Sequence, residues 1–283
     1  MGAIIADGKV LASRIEEEVS LGTAKLAESG LIPHLAVVIV GEDPASRVYV
    51  RNKQRACGRC GIKSTLIEMQ ENSSQEEIIE TVENLNSDDS VHGILVQSPI
   101  PGDVDELAVA SAISPLKDVD GFHPANLGKL VQGDSSGLLP CTPAGVVRML
   151  EHSGVQLGGA KTVVLGRSRI VGMPMSLILA SKGVDATVTI VHSRSNDTAS
   201  ICRDSDIIIA AIGRPHTVKS DWVKPGAFVV DVGISRVDDG GLAGDVHPQV
   251  AEVAGWMTPV PGGVGPMTIA MLMENTLTAA QNF

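Results

Sequence analysis

The run LAVVIV, residues 35–40, is apolar at every position, and this constrains the fold more than any other feature of the chain. A strand with one wet face alternates apolar and polar residues. A strand that does not alternate is covered on both faces, the condition of a mostly parallel sheet flanked by helices. GILV at 93–96 repeats the pattern, and helix-like segments surround both runs at Gly8 to Ser29, Ala45 to Gly61 and Gln75 to Leu85. Asp43 and Pro44 suit the N-cap and first turn of the second of these helices. The rhythm returns later, with strands expected at Lys161 to Leu165, Thr187 to Val191, Ile207 to Ala211 and Phe228 to Val232, and a helix at Pro174 to Lys182. Between the two halves, Ser111 to Pro143 is richer in Gly, Pro, Asp and Ser and reads as a connection. The expectation is α/β with two domains: an N-terminal α/β catalytic domain from residues 1–120 together with 264–283, whose C-terminal helix returns to it, and a Rossmann-type domain at 140–260, joined through 121–139.

Composition limits the partners. The 283 residues suffice for two ordinary domains, and 43% hydrophobic content supplies a core for each. A formal charge of -11 and 2% aromatic residues disfavour nucleic acid, which asks for cations and stacking platforms. No apolar run approaches the roughly 20 residues of a membrane span, and no signal-peptide pattern opens the sequence, so a cytoplasmic protein without a membrane partner is expected. Cys57 and Cys60 form a CxxC that lies mid-helix with no second pair to complete a zinc site, so no metal is expected.

Two segments point to ligands. TPVPGGVGPMT, 258–268, holds three prolines and three glycines and reads as a shaped loop delivering free N–H groups into a helix from Ile269 to Ala280. KTVVL runs directly into GRSRIVG, Gly166 to Gly172, and then a helix opened by Pro174, the strand, turn and helix order of a pyrophosphate site. Ser168 stands where that fingerprint has its second glycine. An NAD enzyme carries an acidic residue at the end of the next strand. Here His192, Ser193 and Arg194 follow it, and with Arg167 they suit the 2′-phosphate of NADP. Gly213 and Gly233 end later strands, where small residues let backbone approach a cofactor, and Ile234 is expected near the nicotinamide ribose. In the first half, Tyr49 and Lys53 share a helix face, and Gln97 stands at the carboxyl end of a strand, where open α/β sheets place ligands. Asp118 and Asp120, in KDVDG, read equally as turn residues.

GEDPASRVYVRNK, GILVQSPIP, PLKDVDGFHPANLGKL, PCTPAG, GRSRIVGMP and TPVPGGVGPMT, in that order, resemble the successive signatures of the bifunctional methylenetetrahydrofolate dehydrogenase/methenyltetrahydrofolate cyclohydrolase family. The resemblance spans nearly the whole chain. It implies one cleft between the domains, in which NADP⁺ takes a hydride from the methylene bridge of the folate and water then opens the methenyl ring to formyltetrahydrofolate. By this resemblance Lys53, Tyr49, Gln97 and Asp120 are the catalytic set. Lys53 exchanges protons with the substrate and water; Gln97 orients it, Tyr49 assists, and Asp120 grips the amino-pyrimidine edge of the pterin. Tyr49, Gln97, Asp120, Pro261, Gly262 and Gly263 would contact the folate, and Gly166, Arg167, Ser168, Ser193, Arg194, Gly213 and Ile234 the cofactor. A homodimer is also implied. The sequence departs from the family pattern at Ser98, where an apolar residue is commoner, and in HSRS at 192–195, where threonine commonly ends the motif. An amino-acid dehydrogenase of the same plan would leave KDVDG and TPVPGGVGPMT without a purpose, and an NADP-binding regulator would bind cofactor without turnover.

Overall fold

The computed structural model describes residues 2–237 and 240–283. In chain order, the elements are β1 (Ile4–Ile5), α1 (Gly8–Glu28), β2 (His34–Val40), α2 (Pro44–Cys60), β3 (Lys63–Met69), α3 (Gln75–Ser87) and β4 (Gly93–Val96). Next come α4 (Glu106–Ala112), α5 (Pro124–Gln132), α6 (Cys141–Ser153), β5 (Lys161–Leu165), α7 (Gly172–Ala180), β6 (Thr187–Val191), α8 (Thr198–Arg203) and β7 (Ile207–Ala210). The chain closes with β8 (Phe228–Asp231), β9 (Ser235–Arg236), β10 (Leu242–Ala243), β11 (Trp256–Met257) and α9 (Val264–Gln281). It divides into two compact units, Met1–Ala12 with Thr142–Thr268, and Ser13–Cys141 with Ile269–Phe283.

The second of these units is built on a parallel sheet of order β3-β2-β4. Every residue of β2 is buried, as its unbroken apolar run requires. Asp43 accepts the Ser46 amide at the start of α2, and Pro44 occupies the first turn, where no N–H is needed. β3 was not expected. KSTLIEM is an edge strand, mostly half-buried, and carries no apolar run to announce it. Ser74 and Glu77 form a capping box at the start of α3. The segment after α4 runs beside β4, with the Ile94 amide donating to the Lys117 carbonyl and Asp118 bridged to Ile94.

The other unit carries an all-parallel sheet of order β1-β11-β8-β7-β5-β6. Its core joins Val163, Leu165, Ile208, Ala210 and Val229 from the central strands to Val250 and Met257. This is the doubly wound plan: chain order leaves β5 outward to β6 and returns on the opposite side as β7, so the switch point lies between β5 and β7.

Three boundaries differ from expectation. Residues 2–12 belong with the six-stranded sheet, because Ile4 and Ile5 pair with Trp256 and Met257. The supposed connection holds α5 and the start of α6 and packs with the three-stranded unit, where Asn275 of α9 donates to the carbonyls of Val119 and Leu139. Finally, the 258–268 segment is loop only as far as Gly263. Pro266 falls in the first turn of α9, where its missing N–H costs nothing, so the helix begins at Val264 rather than Ile269.

Candidate active site

In the three-stranded unit the chain leaves β2 for β3 on one side and reaches β4 on the other, so the switch point lies between the carboxyl ends of β2 and β4. The turn after β2 leads into α2, which carries Tyr49 and Lys53 one helical turn apart. Gln97 follows β4 directly, its amide bonded to the Val38 carbonyl at 2.8 Å. Lys53 Nζ donates to Gln97 Oε1 at 3.0 Å. The other end of that carboxamide is also fixed, Gln97 Nε2 donating to the Ser98 carbonyl at 2.6 Å. Because lysine can only donate, the two contacts together determine which way the amide faces.

Asp120 is placed by its neighbour. Asp118 is buried and accepts from the Phe122 amide at 3.2 Å, the His123 amide at 2.8 Å and Asn126 Nδ2 at 2.9 Å, which closes the KDVDG turn. Burial pushes the Asp118 carboxyl up to about 6, the hydrogen bonds opposing it. Asp118 is thus the structural member of the pair. Asp120 is partly open, and the shielding of its carboxyl raises its pKa against the opposing pull of Lys53. Cys141, missed from the sequence, is buried against the same group: its Sγ donates to the Val119 carbonyl at 3.2 Å, and burial, with Asp120 next, holds its thiol well above the ordinary range. The sequence offered one signal, the polar Asn275 in an apolar helix, whose amide pins Val119, Leu139 and Cys141. Ser98 is exposed, and its hydroxyl donates to Glu106, which also accepts the Ile100 amide. Cys57 and Cys60 are buried, and burial raises their thiols to about 11 and about 12, leaving little nucleophilic thiolate near neutrality.

The six-stranded unit holds a pocket of about 410 Å³ at the carboxyl ends of β5, β6 and β7, lined by Gly166, Arg167, Ser168, His192, Ser193 and Arg214 among others. Gly166 has φ 114, and a Cβ there would collide with the Ala211 carbonyl; one on Gly172 would collide with the Gly166 carbonyl. These two glycines allow the strand, turn and helix to close tightly. Ser168 Oγ accepts the amides of Val171 at 3.2 Å and Gly172 at 3.4 Å, so the residue in the glycine's place ties the turn to the start of α7. Arg194, Gly213 and Ile234 are exposed and lie outside the residues lining this pocket. The Arg194 amide donates to His192 Nδ1, and Gly213 sits between two residues that do line it, Ile212 and Arg214. Pro261, Gly262 and Gly263 belong to this unit too, in the turn before α9: the Gly263 amide donates to the Pro259 carbonyl at 3.0 Å, and the turn packs so closely on the start of α1 that Gly8 has no room for a Cβ.

The pocket suits a dinucleotide: it lies at a switch point, against the start of a helix of nine residues, with arginine and hydroxyl groups at its rim. Among the described residues no cluster of side chains fits a metal ion, and no helix is long and apolar enough to cross a membrane.

Comparison with known proteins agrees with both halves. Residues 6–120 match the catalytic domain of tetrahydrofolate dehydrogenase/cyclohydrolase, and residues 140–283 match its NAD(P)-binding domain. The bifunctional protein FolD of Moorella thermoacetica is 52% identical over 282 residues, covering 99% of this chain and all of its own. The crystal structure of the bifunctional FolD of Campylobacter jejuni superposes with a TM-score of 0.95 at 46% identity over 98% of each chain. The dehydrogenase-cyclohydrolase of Trypanosoma brucei, solved with NADP cofactor and an inhibitor, gives 0.94 at 40% identity, covering all of this chain and 98% of that one. With both domain matches and relatives of this identity along the full length, the chain belongs to the tetrahydrofolate dehydrogenase/cyclohydrolase family.

Proposed function

We propose that this chain oxidises 5,10-methylenetetrahydrofolate with NADP⁺ and hydrolyses the resulting methenyl cation to 10-formyltetrahydrofolate. Family membership supports the two activities, and the 3.0 Å contact between Lys53 Nζ and Gln97 Oε1 at a sheet switch point is the observation that carries the assignment of residues.

In the oxidation, bound NADP⁺ supplies the hydride acceptor, and the folate nitrogens stabilise the cation left on the one-carbon bridge. The protein's share is mostly positioning. Gly166, Arg167, Ser168 and Ser193 hold the dinucleotide, and Arg194 and Ile234 approach it from the adjoining loops. In the hydrolysis, water oxygen bonds to the methenyl carbon and the carbon–nitrogen bond of the ring breaks. Of the two protons of water, one ends on the departing nitrogen and one is released. Lys53 takes up and returns protons at this carbon, held on line by Gln97, while Tyr49 on the same helix face packs beside the substrate. Asp120 accepts two hydrogen bonds from the amino-pyrimidine edge of the pterin, which it does when ionised. Its raised pKa therefore weakens folate binding as pH falls, and does so above the pH at which an ordinary aspartate would respond.

The test is direct: purified chain with methylenetetrahydrofolate and NADP⁺ yields NADPH and 10-formyltetrahydrofolate. NADPH without formyl product would remove the second half of the proposal, and no NADPH would remove the first. We further read the protein as a cytoplasmic homodimer, checked by light scattering and by fractionation.

A further inference from the structure

One of the turns that wall the nucleotide pocket hangs from two buried carboxylates that neither reaction uses. Asp245 is fully buried; its Oδ2 accepts the amides of Ile212 at 2.6 Å and Gly213 at 3.0 Å, and its Oδ1 accepts that of Arg214 at 2.7 Å. Three consecutive amides converge on one carboxylate, the arrangement by which backbone concavities hold anions, except that here the anion is internal. The turn so closed supplies Ile212 and Arg214 to the pocket lining. Asp245 is itself suspended from Asp231. Its amide donates to Asp231 Oδ1 at 2.9 Å, Val246 donates to Oδ2 at 2.9 Å and Gly233 to Oδ1 at 3.0 Å, while the Asp231 amide is anchored on Thr258 Oγ1 at 2.8 Å. There is no slack, since a Cβ on Gly233 would strike Asp245 and one on Gly244 would strike Asp231.

We propose that Asp245 is a positioning residue for the cofactor: by gathering the Ile212–Arg214 amides it sets the pocket wall, and so governs NADP affinity without touching NADP. The inference rests on the NADP reading above. Its chemistry needs a carboxylate rather than merely a polar group of that size. Asparagine offers one acceptor oxygen and turns an N–H₂ toward amides that also donate, so at least one of the three loses its partner and the turn is re-aimed. Because the turn lines the pocket by two of its three residues, the change is felt in binding before it is felt in hydride transfer.

The experiment compares parent and Asp245→Asn for NADP affinity by titration, for dehydrogenase KM and kcat, and for methenyl hydrolysis, which uses no nucleotide. The expected result is a rise of about tenfold or more in both Kd and KM for NADP, from unpairing buried amides, with kcat and hydrolysis within about twofold of the parent. Unchanged NADP affinity overturns the proposal, and so does a parallel fall in hydrolysis, which would mark a general structural loss. Should Asp245→Asn not accumulate as folded protein, Gly213→Ala decides. Gly213 has φ 69 and no protein atom near a new Cβ, so within the protein alanine strains the turn without striking a neighbour. Its NADP Kd should rise likewise, and an unchanged value sinks the idea. A parent that neither binds nor reduces NADP would instead refute the function proposed above.

Discussion

The two switch points solve the same geometric problem with different materials. At the carboxyl ends of β2 and β4, chemistry is carried by side-chain ends: an ammonium, a carboxamide fixed at both ends and a half-shielded carboxylate. At the ends of β5, β6 and β7 the determining groups are largely backbone: glycines whose missing Cβ lets elements touch, a serine whose hydroxyl gathers turn amides, and amides gathered on an internal aspartate. One kind of site is lost by changing a single functional atom, the other by adding volume. Substitutions in the two units should therefore fail in different ways.

The largest separation is expected from Lys53→Met, which preserves the length and apolar stem of the side chain. Methenyl hydrolysis should fall by about 10²- to 10⁴-fold, the usual worth of a positioned acid–base group, with the thermal midpoint little changed. Hydrolysis at the parent rate would show that Lys53 has no part in the reaction. The counterpart is Gly166→Ala. Its Cβ would meet the Ala211 carbonyl from a backbone at φ 114, so the strand-to-helix turn has to open. NADP affinity should drop by about two orders of magnitude through lost positioning, while hydrolysis continues. If Gly166→Ala bound NADP normally, backbone closure would not be what shapes that pocket.

How much of this was legible follows the same division. The apolar runs of β2 and β4 and the caps Asp43 and Pro44 announce themselves because burial on both faces and an orphan N–H each demand particular residues. Lys53 and Gln97 are each placed by helix and strand position, but only the family resemblance joins them as a hydrogen-bonded pair, the 3.0 Å contact seen here. β3 was hidden because an edge strand needs no continuous apolar run. Asp231 and Asp245 were hidden because their partners are amides far apart in sequence, and an aspartate that binds main chain looks like any other. The nearest clue was steric: Gly233 and Gly244 flank them because no Cβ fits. α9 starts earlier than its Gly/Pro density suggests, because proline in a first turn is compatible with helix.

A smaller effect tests cofactor choice. Arg194 is exposed beside the pocket rather than in its lining, so its action on a 2′-phosphate is partly screened. Arg194→Glu, with Arg167 intact, should raise KM for NADP by about tenfold and for NAD by much less, the difference shrinking at high salt. Equal effects on both nucleotides would remove the arginine from 2′-phosphate recognition.

The smallest expected effect lies in the three-stranded unit, at the opposite ends of β2 and β4 from Lys53. His34 Nδ1 donates to the Ser90 carbonyl at 2.9 Å, and the His34 amide donates to His92 Nδ1 at 3.2 Å, so that nitrogen of His92 must be unprotonated. The His92 ring also packs edge-on to Phe283, with Lys117 Nζ 5.2 Å from the centre of the same phenyl. Burial lowers the pKa of both histidines, with His34 and Lys117 adding to the effect at His92. A lowered histidine means the unfolded chain takes up a proton first. Its stabilisation is complete above the unfolded value of about 6.5 and is lost as pH falls from there through the folded pKa. Asp118, raised to about 6 in the same unit, has the opposite sign: the folded form protonates first, so acidification between about 6 and the ordinary aspartate value favours it. The raw pH profile mixes the two, and a difference isolates one. His92→Gln keeps an acceptor for the His34 amide without a titrating ring. Between pH 7.5 and 5.5 the parent's thermal midpoint should fall relative to this variant by about 2 °C, a fraction of a kcal/mol for a unit of this size. Parallel midpoints would mean that His92 protonates as readily folded as unfolded, and that the side-chain chemistry of this unit is confined to the end where Lys53 stands.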